Sequence, residues 1–123
     1  MNSLLGGVPI VLLGFPVNEL DYQKPWCSSQ DGVIEFVLPD RTRVDCLTAT
    51  HAVEFDFAPK WAESIGQALY YAGQTRRRAG VVLILRDSGD VRYLRRLRSA
   101  VASAGLALDI WTLGPAKDPV NSN

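Results

Sequence analysis

Apolar residues recur along this chain in distinct rhythms, and each rhythm predicts an element. From Gly32 to Leu38 they alternate with period two and stop at Pro39-Asp40, a strand ending in a turn. Arg41 to Thr48 reads as a second strand, with Arg43, Asp45 and Leu47 on one face and Val44 and Cys46 on the other, because successive side chains leave a pleat on opposite sides. A third strand runs from His51 to Ala58. Its Val53, Phe55 and Phe57 are expected to face the core, while Ala52, Glu54 and Asp56 are expected on the wet side of a half-exposed hairpin. Before these strands, Asn18 to Gln30 carries no clear period and reads as a polar connector.

After Pro59 the period changes. Apolar positions at Trp61, Ile65, Ala68, Leu69 and Ala72 have helical spacing over Lys60 to Gln74, and Pro59 suits a first turn. Lys60, Ser64, Gln67 and Tyr71 form a second, polar stripe along the same helix. Arg76-Arg77-Arg78-Ala79-Gly80 reads as its end, with cations at the negative pole and a glycine stop. The aliphatic run Val81 to Leu85 predicts a strand buried on both faces, central and parallel. Asp90 is the expected N-cap of a helix over Val91 to Ala104, with Leu94, Leu97 and Val101 inward, closed by Gly105. Leu106 to Leu113 reads as the last strand.

The expected class is therefore α/β: an antiparallel three-strand meander followed by helix, strand, helix, strand in one mixed sheet. The division is an apolar segment over residues 1–20, a single domain over 21–114, and a flexible tail over 115–123. With 123 residues, 47% of them hydrophobic and 21% charged, one core is affordable without staples. The formal net charge of +0 hides an asymmetry. Eight of the 13 acids precede Lys60, and ten of the 13 Lys/Arg lie from Lys60 onward.

Leu4 to Val17 is apolar and uncharged but short for a bilayer span, so no membrane span is expected. It lacks a basic residue ahead of it and a small-residue cleavage site, and reads either as a degenerate export signal or as an extra buried strand. A cytoplasmic location is favoured over export. Cys27 and Cys46 have neither the spacing nor the partners of a zinc site. They read either as one disulfide in an oxidising compartment or as two small buried hydrophobes in a reducing one.

Chemistry concentrates in the third strand. Glu54 and Asp56 are two residues apart on one face, about 6.8 Å between Cα atoms at about 3.4 Å per residue, and a direct hairpin register brings Asp45 beside Glu54. Carboxylates this close repel, and a hard divalent cation such as Mg²⁺ or Mn²⁺ is the usual compensation. Taken alone, a Glu-x-Asp pair is more often the signature of a solvated strand face. The helix that follows adds Lys60, Gln67 and Tyr71.

Asp45, then Glu54, then a helix carrying Gln67-Ala68-Leu69-Tyr70-Tyr71 resembles the PD-(D/E)xK nuclease superfamily, in its RecB-like branch with a Q-x-x-x-Y helix motif. The resemblance covers Gly32 to Leu113 and implies a restriction-endonuclease-like sheet that hydrolyses nucleic-acid phosphodiesters with Mg²⁺ or Mn²⁺. It implies Asp45 and Glu54 as metal ligands, Gln67 and Tyr71 as residues that support the site and contact DNA, and Glu35 as an earlier acid. Asp56 stands where the superfamily has its lysine. A carboxylate has the wrong sign to stabilise charge on a phosphate, so Lys60, reaching back from the helix, is the expected substitute. Without it, the domain binds nucleic acid or a protein partner and does not cut.

Arg76, Arg77 and Arg78, with Arg92, Arg95, Arg96 and Arg98, are candidates to neutralise flanking phosphates and equally a solvated helix face. DNA leads among the nucleic acids, and pairing of two copies is compatible with this class of enzyme. His51 reads as a turn residue, and Trp26, Trp61 and Trp111 as packing.

Overall fold

The computed structural model describes residues 18–120, in which the aliphatic strand that begins at Arg78 is interior to a sheet, flanked by a parallel strand on each side. Five strands, β1 (Val33–Val37), β2 (Arg43–Leu47), β3 (His51–Phe57), β4 (Arg78–Ile84) and β5 (Leu108–Leu113), lie in one sheet in the order β1-β2-β3-β4-β5. β1, β2 and β3 pair antiparallel, and β4 and β5 add parallel. Parallel neighbours need crossovers, and two helices supply them: α2 (Trp61–Thr75) between β3 and β4, and α3 (Val91–Ser103) between β4 and β5. Both cross on one face, where Ala68 of α2 and Leu94 and Leu97 of α3 pack on Ala79, Val81 and Leu83. A third helix, α1 (Glu19–Ser29), covers the other face, setting Tyr22, Trp26 and Cys27 against Val53, Phe55, Val82 and Ile84. The described residues thus form an α/β domain with a five-strand mixed sheet and three α-helices.

α1 replaces the expected connector. Its inward residues include the polar Gln23, 2% exposed, which masks the period, and Pro25 sits within it. The signal that does mark it is a capping box, in which Asn18 accepts the Asp21 N–H and Asp21 accepts the Asn18 N–H. A disulfide joins Cys27 in its last turn to Cys46 in β2, with Cα atoms 5.8 Å apart.

The second correction concerns β3. Ala52, Glu54 and Asp56, expected on a wet face, are buried, the two acids only 6% and 5% exposed, because α2 lies over them. α2 itself is turned from its expected orientation. Ser64 and Tyr71 of the polar stripe are buried, whereas Leu69 is 38% exposed. A sheet face carrying two carboxyls accepts a serine and a tyrosine more readily than a leucine.

Smaller differences follow local chemistry. α2 stops on Arg76, which takes the left-handed conformation at φ 57°, and not at Gly80. Gly80 lies inside β4, where a Cβ would come 2.7 Å from the Trp111 ring. Asp90 does not cap α3, since its carboxylate accepts the Arg86 N–H at 2.8 Å. Asp87 instead accepts the Gly89 N–H at 3.0 Å and opens a short 3-10 turn. The chain beyond Gly114 is docked through residue 118: Asp118 is buried between Arg95 at 3.0 Å and Arg98 at 3.2 Å. The expected N-terminal strand or export signal over residues 1–17 lies outside the described residues.

Candidate active site

The β2–β3 ladder pairs Leu47 with Ala52 and Cys46 with Val53, and there it ends. Asp45 and Glu54 would come next. Instead the Asp45 carboxylate accepts the Phe55 N–H at 2.8 Å, so a side chain takes the bond the ladder gives up. On the other side of β2 the pairing skips as well, from Ile34 opposite Cys46 to Phe36 opposite Val44, and the intervening Glu35 has φ 53°. A non-glycine residue in the left-handed region within a strand is a local strain that its surroundings must hold.

The pleat reverses at this point, which corrects the expected alternation. Val44 packs with Leu38, Leu47 and Tyr71 beneath α2, while Cys46 faces α1 with Cys27 and Val53.

Two carboxyls meet where the ladder opens. Asp45 and Glu54 share a hydrogen bond, and burial pushes both above the usual carboxylate range. Glu54 is pushed further, by burial first and then by the charges of Asp45 and Asp56, so that it holds a proton past neutrality. Asp56 is raised to about 7 by burial and by Glu19 and Asp45, with the Lys60 charge acting in the opposite direction. Its Oδ2 is buried with no hydrogen-bond partner. Tyr71 of α2 is raised by burial and then by the charges of Glu54 and Asp45, so its phenol lies within reach of their field.

Asp45 opens into a cleft of about 490 Å³ lined also by Glu19, Gln23, Glu35, Phe57 and Lys60. Lys60, at the start of α2, therefore faces the acids across this space. The Gln23 amide reaches over from α1 and donates to Glu35 Oε2 at 2.9 Å and to the Asp45 carbonyl at 3.1 Å. Glu19 and Gln23 went unread in the sequence because α1 was unread, and the capping box at Asn18 is the one signal that would have brought them in.

Other candidates lie elsewhere. Gln67 is exposed on α2. Arg76, Arg77 and Arg78 sit at the opposite end of β3, since Arg78 is level with His51 in the sheet, and His51 is about 17 Å from Asp56 along an extended strand. Together they rim a separate groove of about 660 Å³. Two of the three have partners within the protein. Arg77 donates to the Thr48 carbonyl at 2.6 Å, and Arg78 grips Asp109 with two bonds at 2.9 and 3.2 Å. His51 bridges Thr50 and Asp109, at 2.7 and 2.6 Å. Arg92 and Arg96 lie over Tyr93. Trp26 packs on Phe55 and Trp111.

Among the described residues no three His, Cys, Asp or Glu side chains converge as a ready metal-ligand set. Two carboxyls in contact, with a third whose buried oxygen lacks a partner, are nonetheless a donor set that fits a hard cation. Mg²⁺ needs only one or two protein carboxylates and keeps its remaining waters. A cation entering there would take the place of the proton the pair now shares. No helix among the described residues is long and apolar enough to cross a membrane. No protein-family model, curated protein or solved structure matches this chain.

Proposed function

We propose that this protein is a divalent-metal-dependent phosphodiesterase acting on nucleic acid, built on a restriction-endonuclease-like sheet of the PD-(D/E)xK type. One observation carries the reading: Asp45 and Glu54 meet as a buried carboxyl pair at a break in the sheet, and Lys60 lines the cleft into which Asp45 opens. A structural role for such a pair is costly, because buried like charges oppose folding unless something neutralises them. The order of strands and crossovers, and Tyr71 within reach of the pair's field, support the same reading.

In this reading Asp45 and Glu54 hold Mg²⁺ or Mn²⁺, which when bound supplies a water of lowered pKa and neutralises charge on the phosphate. The chain does the rest. Asp45 is fixed by the Phe55 N–H, so its second oxygen is presented to the cleft in one orientation. α2, with Tyr71 and Ser64 buried on it, covers the strand that carries Glu54 and keeps that carboxyl from bulk water. Lys60 supplies the cation that Asp56 cannot, placing an ammonium where negative charge develops on the phosphate oxygens. Asp56 is close enough to feel the charge of that ammonium.

The test is cleavage of labelled single- and double-stranded DNA and RNA with Mg²⁺ or Mn²⁺. Asp45→Ala and Glu54→Ala are each expected to abolish cleavage, and Lys60→Met to slow it by about two to three orders of magnitude. Cleavage by both acid variants at the parent's rate would overturn the assignment. Asp56 in the lysine position favours a second reading, a binding domain of the same fold that does not cut. That reading requires salt-dependent binding that persists in EDTA without cleavage. The Cys27–Cys46 bond favours an oxidising compartment for either.

A further inference from the structure

One face of α1 carries Glu19, Gln23 and Cys27, four residues apart, so that they stand one above another along the helix. Each is committed to the site. Glu19 raises Asp45, Glu54 and Asp56 through its charge, Gln23 bonds Glu35 and the Asp45 carbonyl, and Cys27 is bonded covalently to Cys46, the neighbour of Asp45. Gln23 is 2% exposed, and both its amide hydrogens are used, one on each strand of the β1–β2 break. Its orientation is unambiguous, because the flipped amide would set an oxygen against two acceptors.

Glu35 sits at φ 53° and lines the cleft, and it stands level with Asp45 at the step between the Ile34 and Cys46 pair and the Phe36 and Val44 pair, where no pairing forms. Gln23 donates to Glu35, which also has a long contact to Arg43 at 3.6 Å, and among the described residues it is the side chain that links Glu35 to the Asp45 backbone across the unpaired step.

Resting on the reading above, we propose that Gln23 is a positioning residue for the metal-binding carboxylates and that the Cys27–Cys46 bond keeps it in place, which makes cation binding depend on the oxidised bridge. Reduction by a dithiol gives Cys27 and Cys46 one hydrogen each and converts the reagent to its own cyclic disulfide. α1 is then held only by its packing, and Gln23 leaves the break. Outer-shell groups that orient metal-binding carboxylates are typically worth about 10–100-fold in affinity.

The experiment is a Mn²⁺ titration of the full chain followed by the electron paramagnetic resonance of free Mn²⁺, with melting measured alongside. Gln23→Met keeps the shape and removes both donors. It is expected to weaken Mn²⁺ binding about 10–100-fold with little change in melting temperature, a split that a merely structural glutamine would not give. The parent treated with dithiothreitol, still folded by circular dichroism, is expected to lose affinity to the same extent and regain it on reoxidation. That arm carries the test if Gln23→Met fails to fold. A parent that binds no Mn²⁺ in either redox state overturns the metal-dependent function and this inference with it. A parent that binds, with Gln23→Met and the reduced protein binding equally well, overturns this inference alone.

Discussion

Replacing Glu54 by glutamine is expected to make the metal-free protein more stable, not less. Glu54 is 6% exposed and lies under α2 against Asp45, so it enters the folded state protonated. In the unfolded chain it titrates near its ordinary value of 4.5 and is ionised at pH 7. Folding at pH 7 must therefore take up a proton across about 2.5 pH units, which at about 1.4 kcal/mol per unit costs about 3 kcal/mol. The sign is fixed by the direction of the shift. A carboxyl whose folded pKa is raised leaves stability highest below 4.5 and erodes it as pH climbs toward the folded value.

A glutamine amide at position 54 has the shape of the protonated acid and can still donate to the Asp45 carboxylate, but carries no such dependence. The assay is urea unfolding of parent and Glu54→Gln in EDTA at several pH values from 5 to 8. The advantage of the variant should be under about 1 kcal/mol at pH 5 and grow to at most about 3 kcal/mol at pH 7, or about 10 °C in melting temperature. Saturating Mg²⁺ should close the gap by stabilising the parent alone, since only the parent binds it. A variant equally or less stable at every pH, with no trend, would refute the claim that this carboxyl is neutralised by folding.

Further outcomes are expected elsewhere in the molecule. Removing the disulfide by the double change Cys27→Ser and Cys46→Ser frees a loop closed across 19 residues, a loss of about 3 kcal/mol on the chain-entropy account, read as a lower urea midpoint. Asp109, held down at about 2 by Arg78 and His51, contributes stability above its ordinary 3.8 that disappears as pH falls through 2. Asp109→Asn should flatten the stability profile over that window, and an unchanged acid limb would show the contacts to be idle. Gly114→Ala is expected to cost more than about 1 kcal/mol, because φ is 99° there and a Cβ would overlap the Leu85 backbone, with the melting temperature as readout. Asp118→Ala should expose the chain after Gly114 to proteolysis, since Arg95 and Arg98 would lose the carboxylate that docks it.

Period and punctuation made most elements legible. The strand-like runs of β1 to β3, the aliphatic run of β4, and the amphipathic patterns of α2 and α3 are local signals that mark the type of element, although not which face of β1, β2 or β3 is buried. α1 was not legible, because its inward residues include Gln23 and its middle carries Pro25. The candidate site was legible in part. Asp45, Glu54 and Lys60 could be named from spacing and resemblance, but Glu35's left-handed backbone and the end of the β2–β3 ladder at Cys46 had no local trace, and the capping box that marks α1 does not tell which strands Gln23 meets.

What the amino-acid order alone determined, then, is which segments from β1 onward are strands or helices, in what sequence they come, and where acids and bases gather. The tertiary structure decided which of those acids are dry. Glu54 and Asp56 read as a solvated strand face until α2 lies over them, and two cysteines 19 residues apart read as either free or bonded until α1 folds across the sheet. The physical reason is that periodicity reports only that a residue has a side, whereas burial, proton affinity and covalent pairing depend on which other segment comes to occupy that side.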